Sequence, residues 1–150
     1  MSSAALKLVK TLDLKPHPEG GWYREMFRDE AGPDGRPRST AIYYLLEAGE
    51  TAEWHRVNHA AEVWHWYAGA PLVITVSPNG HDASAHRVGP GIGTGELPQF
   101  VVPAGHWQTA TSLGEYTLVG CTVAPGFDFA EHEMAPPGWR PTPRRPDGRR

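Results

Sequence analysis

Residues 49–69 constrain the fold more than any other part of this chain. Five residues separate Gly49 from His55, and six separate Glu62 from Gly69. Aromatic and aliphatic residues surround both polar side chains and favour strands. Because alternate residues of a strand lie on opposite faces, a histidine and a carboxylate at suitable positions can point into one interior. The stretch therefore predicts strands that carry His55 and Glu62 as a candidate site.

The rest of the chain is divided into short segments by turn residues. It contains 17 glycines and 15 prolines, a composition typical of many short strands joined by turns. Strands are predicted at residues 22–28, 39–46, 52–55, 62–68, 71–77, 83–88, 99–102, 106–110 and 116–124. Helices do not alternate with these strands, which argues against a parallel α/β fold. The pattern favours an all-β jelly roll or double-sheet barrel.

The two ends of the chain differ from this pattern. Apolar residues at helical spacing predict a short helix over residues 4–12, with Ser2 or Ser3 as its N-cap. Residues 136–150 contain five prolines and five arginines. This composition predicts a tail that is disordered or loosely docked. We therefore expect one domain over residues 1–135, followed by the tail.

Charge and cysteine content exclude several classes of protein. Residues 1–135 carry nine Lys and Arg against sixteen Asp and Glu, so nucleic acid is not an expected partner. The single cysteine, Cys121, excludes an internal disulfide and a cysteine-based zinc cluster. No apolar run approaches the roughly 20 residues that cross a bilayer. A cytoplasmic protein that does not contact the membrane is the resulting expectation.

Residues 49–69 resemble the first motif of the cupin family, which has glycine, five residues, His-x-His, three or four residues, glutamate, six residues and glycine. Residues 103–108 resemble the second motif, Pro-x-Gly-x-x-His. The chain departs from the motifs at Val57 and Gln108, where the family has histidines that bind metal. The resemblance implies a cupin jelly-roll barrel.

A wider resemblance covers residues 14–134. It is carried by residues 16–23, 42–46, 54–56, 62–65, 102–108 and 120–127. These segments are similar to a small single-domain cupin family of unknown function, which itself is similar in shape to sugar-nucleotide epimerases. The resemblance implies a homodimer and a small-molecule ligand that is sugar-like or linked to a nucleotide.

His55 is the main candidate for chemistry, because an imidazole at a barrel mouth serves as a general base or as a metal ligand. The alternative is a structural histidine bonded to a backbone carbonyl. Glu62, Trp64 and Trp66 share one strand face, where the indoles either stack on a ligand or fill the core. Tyr43 and Tyr44 point to opposite faces, so one of them is expected to reach the cavity as an acid–base partner of His55.

The resemblance implies a metal site of His55, Glu62 and Gln108, completed by water or His106, for Fe, Mn, Ni or Zn. Without metal the same residues form a hydrogen-bonding pocket. Three arginines are candidates for gripping a phosphate or carboxylate: Arg24, Arg38 and Arg56. Four histidines receive no role: His17, His81, His86 and His132.

Three functions remain open. The first is a metal-independent isomerase, epimerase or dehydratase with His55 as base and a tyrosine or Glu62 as its partner. The second is a divalent-metal-dependent oxygenase or isomerase, and the third is a ligand-binding module without catalysis. An enzyme is favoured over the binding module.

Overall fold

The computed structural model describes residues 1–144. Its elements, in chain order, are α1 (Ser3–Leu12), β1 (Lys15–Pro16), β2 (Trp22–Arg28), β3 (Thr40–Glu47), β4 (Thr51–Val57), β5 (Glu62–Gly69), β6 (Leu72–Ser77), β7 (Ser84–Val88), β8 (Gln99–Val102), β9 (Trp107–Ser112), β10 (Tyr116–Val123) and β11 (His132–Met134). The predicted strands are all present, and β2 has the bounds expected from the sequence.

The strands form two antiparallel sheets that face each other. One has six strands in the order β1-β2-β3-β10-β5-β8, and the other has five in the order β11-β4-β9-β6-β7. Chain neighbours such as β4 and β5 lie in different sheets, so the chain repeatedly crosses from one sheet to the other. The predicted all-β jelly-roll barrel with a short N-terminal helix is confirmed.

The main core lies between the two sheets. Its largest fully buried side chains include Trp64, Tyr44, Leu72 and Ile74. Trp64 and Tyr44 meet edge to face, with ring centroids 5.9 Å apart. Apolar side chains fill the interior from one end, so the polar cavity is confined to the other end of the barrel.

Helix α1 covers part of the outer surface of the six-stranded sheet. The Ser2 side chain caps it by accepting a hydrogen bond from the Ala5 amide at 3.1 Å. Its apolar face packs against Leu45 and Leu118 in a second, smaller apolar cluster. Among residues 1–144, no helix has both the length and the apolar character needed to cross a membrane.

The chain after the barrel returns along the five-stranded sheet. Strand β11 pairs with β4 at the edge of that sheet, and Trp139 then packs against the rings of Trp54 and Trp107. A strand of three residues is too short to produce a periodic pattern, so the sequence did not predict β11. The prediction for residues 145–150 of the tail lies outside the described residues.

Candidate functional site at the barrel mouth

A cavity of about 320 Å³ opens at one end of the barrel. This volume lies within the range of small-molecule sites in proteins. The residues that line it are Asp13, Lys15, His17, Glu19, Tyr23, Arg24, Glu25, Thr40, Ile42, His55, Val57, Glu62, Cys121, Val123, Phe127, Phe129 and His132. Both sheets, and segments from early and late in the chain, therefore contribute to its wall.

Glu19 enters the barrel on a tight turn between β1 and β2. Gly20 and Gly21 have φ values of 105° and 79°, which side-chain-bearing residues rarely adopt. The Glu19 carbonyl accepts a hydrogen bond from the Glu53 amide at 2.7 Å, and the Tyr44 hydroxyl donates one to the Gly20 carbonyl. The turn is thus fixed from two sides, and it directs a carboxylate that is 6% exposed into the cavity wall.

His55 is turned inward by an irregularity in β4. The register between β4 and β9 shifts between Ala52 and His55, so both residues are buried although they are three positions apart. The Nδ1 atom of His55 lies 2.6 Å from the Glu53 carbonyl oxygen. Because a carbonyl only accepts hydrogen bonds, Nδ1 carries a proton and donates it. The other ring nitrogen, Nε2, therefore faces the cavity and Glu19.

Two imidazoles converge on one carboxylate oxygen. Atoms Nε2 of His55 and Nε2 of His132 each lie 3.1 Å from Oε2 of Glu19. The two rings are 5.3 Å apart between centroids. One ligand atom from each of these three residues lies within 4.8 Å of the other two. We call Glu19, His55 and His132 the cavity triad.

His17 completes the surroundings of the cavity triad. Its Nδ1 accepts a hydrogen bond from the Glu19 amide at 3.1 Å, so its proton, when the ring is neutral, is on Nε2. Burial lowers the pKa of His17, and the neighbouring His55 and His132 lower it further against the attraction of Glu19. His17 is therefore a neutral imidazole near pH 7.

The pKa values of the two cavity carboxyls shift in opposite directions. Burial would raise the pKa of Glu19, but the charge of His55 and the hydrogen bond from His132 outweigh burial and lower it to about 2. Burial raises the pKa of Glu62, and the negative Glu19 raises it further against the opposing charge of His55. The cavity therefore holds one firm carboxylate and one carboxyl that retains a proton more readily.

Gln108 links Glu62 to the core. Its Nε2 donates a hydrogen bond to Oε1 of Glu62 at 2.8 Å, and its Oε1 accepts one from the indole of Trp64 at 3.0 Å. All three side chains are buried. Gln108 thus forms a hydrogen-bonded wall behind the cavity and does not line it.

The structure places the other predicted site residues as follows. Tyr44 lies in the core beneath the turn that carries Glu19, and Tyr43 packs on the opposite face near α1. Neither lines the cavity, because Tyr44 is buried in the core and Tyr43 is partly buried on the opposite face of the sheet. Trp64 fills the core, and Trp66, also outside the cavity, donates its indole hydrogen to the Ala70 carbonyl.

Of the remaining candidates, Arg24 lies on the cavity wall, whereas Arg56 and His106 do not. The Arg56 guanidinium lies on the outer surface of β4, where it pairs with Glu133 and stacks over Trp107. His106 belongs to the turn before β9. These two residues therefore make no contact with the cavity.

Sequence reasoning missed three residues of the cavity: His17, Glu19 and His132. The paired glycines after Glu19 were a detectable signal, since such a turn is needed only where the chain must bend sharply. No local pattern marked His132. It reaches the cavity because β11 joins a strand that is distant in the sequence.

The metal-ligand set predicted from the resemblance differs from the set that the fold brings together. Both polar ends of Gln108 are used by Glu62 and Trp64, and Val57 has no ligand atom. The cavity triad instead offers one carboxylate oxygen and two imidazole nitrogens, a donor set that suits divalent transition metals.

Comparison with known families agrees with this fold. Residues 6–135 match the family model Cupin_5, described as cupin superfamily (DUF985). The match covers β1 to β11 and therefore all three residues of the cavity triad. No curated protein matches the chain.

Comparison with solved structures also agrees with this fold. The chain is similar to protein SO0799 from Shewanella oneidensis, with 36% identity, 90% of this chain and 85% of that chain covered, and a TM-score of 0.83. A hypothetical protein from Leishmania major has 31% identity over 87% of this chain and 86% of that chain, with a TM-score of 0.78. A mutant of Bacillus subtilis oxalate decarboxylase has 18% identity over 81% of this chain and 29% of that chain, with a TM-score of 0.62, and shares the fold alone.

Proposed function

This chain belongs to the DUF985 family of the cupin superfamily, and we propose that it is an enzyme that performs acid–base chemistry on a small polar substrate. The observation that carries this proposal is the position of His55. Its ring is oriented by the Glu53 carbonyl, its Nε2 lies against Glu19, and both residues line a cavity that also contains Glu62. Because the Glu53 carbonyl holds Nδ1–H, Nε2 is the ring nitrogen that can exchange a proton within the cavity.

The proposed reaction is an isomerisation, epimerisation or dehydration next to a carbonyl group. Atom Nε2 of His55 takes a proton from the carbon beside the carbonyl, and the Glu62 carboxyl gives its proton to the carbonyl oxygen. In an isomerisation or epimerisation, the resulting enol takes a proton back at carbon from the His55 imidazolium and returns its hydroxyl proton to Glu62. In a dehydration, the Glu62 proton leaves with the neighbouring hydroxyl group as water, and the His55 imidazolium then returns its proton to Glu62. Throughout, Nδ1–H of His55 remains on the Glu53 carbonyl, and Glu19 stabilises the imidazolium.

The wall supports a substrate that is polar on one side and flat or apolar on another. Phe127 and Phe129 form an aromatic corner beside His132, with ring centroids 4.8 Å apart. Lys15 and Arg24 bring positive charge to the same cavity, beside the carboxylates of Asp13 and Glu25. A sugar combines hydroxyl groups with apolar ring faces, and a nucleotide-linked sugar adds negative charge; these are the substrate class that we propose.

Hydrogen–deuterium exchange into the substrate tests this function whatever the product is. The protein is incubated in D₂O with nucleotide-linked keto-sugars, free sugars and keto acids, and proton NMR follows the signal beside each carbonyl. We expect exchange in at least one compound. We expect His55→Asn to slow it at least about 100-fold, the lower range for loss of a general base.

His86→Asn is the matched control, because His86 lies on β7 outside the cavity and bonds to Ser84. It is expected to retain the native exchange rate. An unchanged rate in His55→Asn would remove the proposal. A compound that stabilises the protein and is recovered without deuterium would instead identify a binding module.

A divalent-metal-dependent cupin is the second candidate, and the cavity triad favours it specifically. Because Nδ1 of His55 donates to the Glu53 carbonyl, Nε2 is the ring nitrogen that faces the Glu19 carboxylate, at 3.1 Å, and in the neutral ring its lone pair can bind a metal ion. A backbone carbonyl bonded to the other ring nitrogen is the usual support of a metal-binding histidine.

Metal binding is tested on protein treated with EDTA and then dialysed separately against Mn²⁺, Co²⁺ and Zn²⁺. We expect one equivalent of metal, and we expect Glu19→Gln and His132→Ala each to weaken binding at least about 100-fold. His106→Ala is the control and should bind as the native protein does. Failure of the native protein to bind any of the three ions would eliminate this candidate and leave the metal-free mechanism intact.

A further inference from the structure

His132 reaches the cavity on a strand that has little support of its own. Strand β11 has three residues and lies at the edge of the five-stranded sheet, with β4 as its neighbour. Isolated pairing of this length is marginal in water. The contacts that hold β11 in place must therefore come from elsewhere.

Inside the barrel His132 packs against Phe127 and Phe129, and a second group of contacts lies on the outer surface of the same sheet. The ring of Trp139 packs against Trp107 at 4.7 Å and against Trp54 at 5.5 Å between centroids. The Arg56 guanidinium stacks over Trp107 at 4.3 Å and pairs with both carboxylate oxygens of Glu133, at 2.9 and 3.1 Å. We call these five residues the outer clamp.

On β4 and β11, residues of the outer clamp and residues of the cavity triad occupy opposite faces. On β4, Trp54 and Arg56 point outward and His55 points inward. On β11, His132 points inward and Glu133 points outward. Because alternate residues of a strand face opposite sides, the position of the outer side chains sets the position of the inner ones.

The segment that follows β11 fixes the clamp to the barrel. The Ala135 amide donates to the Trp54 carbonyl at 2.9 Å, and the Thr142 amide donates to the Gly80 carbonyl at 2.9 Å. The Thr142 carbonyl in turn accepts from the His81 ring at 2.9 Å. Trp139 lies between these two attachment points, so the segment crosses the sheet with its indole as the central anchor.

We propose that Trp139 is a positioning residue, which acts through the outer clamp to hold His132 against Glu19. An indole packed among aromatic rings contributes large apolar contact, whereas β11 alone contributes few hydrogen bonds. Without Trp139, β11 separates from β4 and His132 leaves the cavity, while the core between the sheets is unchanged. This proposal concerns His132 itself and does not depend on which of the two functions is correct.

Two measurements on Trp139→Ala test the proposal. Long-range proton–nitrogen NMR reports the imidazole nitrogens of His132, which are assigned by comparison with His132→Gln. We expect the chemical shifts of these nitrogens to move to the values of a solvent-exposed histidine. Hydrogen exchange of the Ala135 amide reports whether its hydrogen bond to Trp54 is intact, and we expect this amide to exchange at least about 10-fold faster, as in locally opened segments.

Trp139→Phe should rescue both signals, because a phenyl ring retains the aromatic contact. Trp66→Ala removes another half-buried indole, at a site outside the cavity and the outer clamp, and should leave the His132 nitrogens unchanged. If Trp139→Ala does not fold, Glu133→Gln breaks the clamp at a different contact and should shift the same nitrogens in the same direction. Native His132 signals in Trp139→Ala, or in Glu133→Gln when that variant is used, would overturn the proposal.

Discussion

Gln108→Leu is expected to lower the free energy of unfolding by about 3 kcal/mol, since each buried polar group left without a partner costs roughly 1–3 kcal/mol. Leucine has a similar size but offers neither donor nor acceptor. The Trp64 indole hydrogen and the Glu62 oxygen that bond to Gln108 would both lose their partner in a buried environment. Urea denaturation at pH 7, followed by tryptophan fluorescence and by circular dichroism, measures the change.

Gln99→Leu is the matched control for this variant. Gln99 begins β8 and is exposed, so the same substitution there should change stability by less than about 0.5 kcal/mol. A loss in Gln108→Leu no larger than in the control would show that the chain from Glu62 through Gln108 to Trp64 does not stabilise the fold.

Glu19 is expected to stabilise the metal-free protein in a defined pH range. Its pKa is about 2 in the folded protein against 4.5 in the unfolded chain. A group whose folded pKa is depressed stabilises the fold above its unfolded pKa, so this contribution is complete above pH 4.5 and disappears as the pH falls towards about 2. A shift of this size corresponds to roughly 3 kcal/mol.

Comparison with Glu19→Gln isolates this contribution, because glutamine does not titrate. Urea denaturation in the presence of EDTA at several pH values from 7 to 3 should show the native protein more stable at neutral pH, with a difference that shrinks below pH 4.5. Glu62 and His17 are present in both proteins, and the effect of the Glu19 charge on their pKa values is part of the contribution that this comparison measures. A difference that stays constant over this range would contradict the assigned role of Glu19.

The fold was accessible from the sequence because its determinants are local. Turn residues and alternating side chains placed β2 at its observed bounds and predicted the other long strands. Spacing along residues 49–69 led to His55 and Glu62, which both line the cavity. Each of these inferences needed only the geometry of single strands and the turns between them.

The rest of the site was not accessible, because it depends on contacts between distant parts of the chain. Glu19 and His132 are 113 positions apart and meet only after the sheets have formed. The role of the Trp64 side chain also depends on a residue that is distant in the sequence. Its indole bonds to Gln108, so it supports the wall from within the core and does not present a stacking surface to the cavity.

The location of His132 after the last long strand has a consequence for protein synthesis. A nascent chain that has left the ribosome as far as Val123 already contains every strand described above except β11. Such a chain has what it needs to build the two sheets and bury their core, yet it lacks one member of the cavity triad. Translation therefore delivers the scaffold first, and the cavity triad is complete only when His132 and the segment that anchors it have emerged.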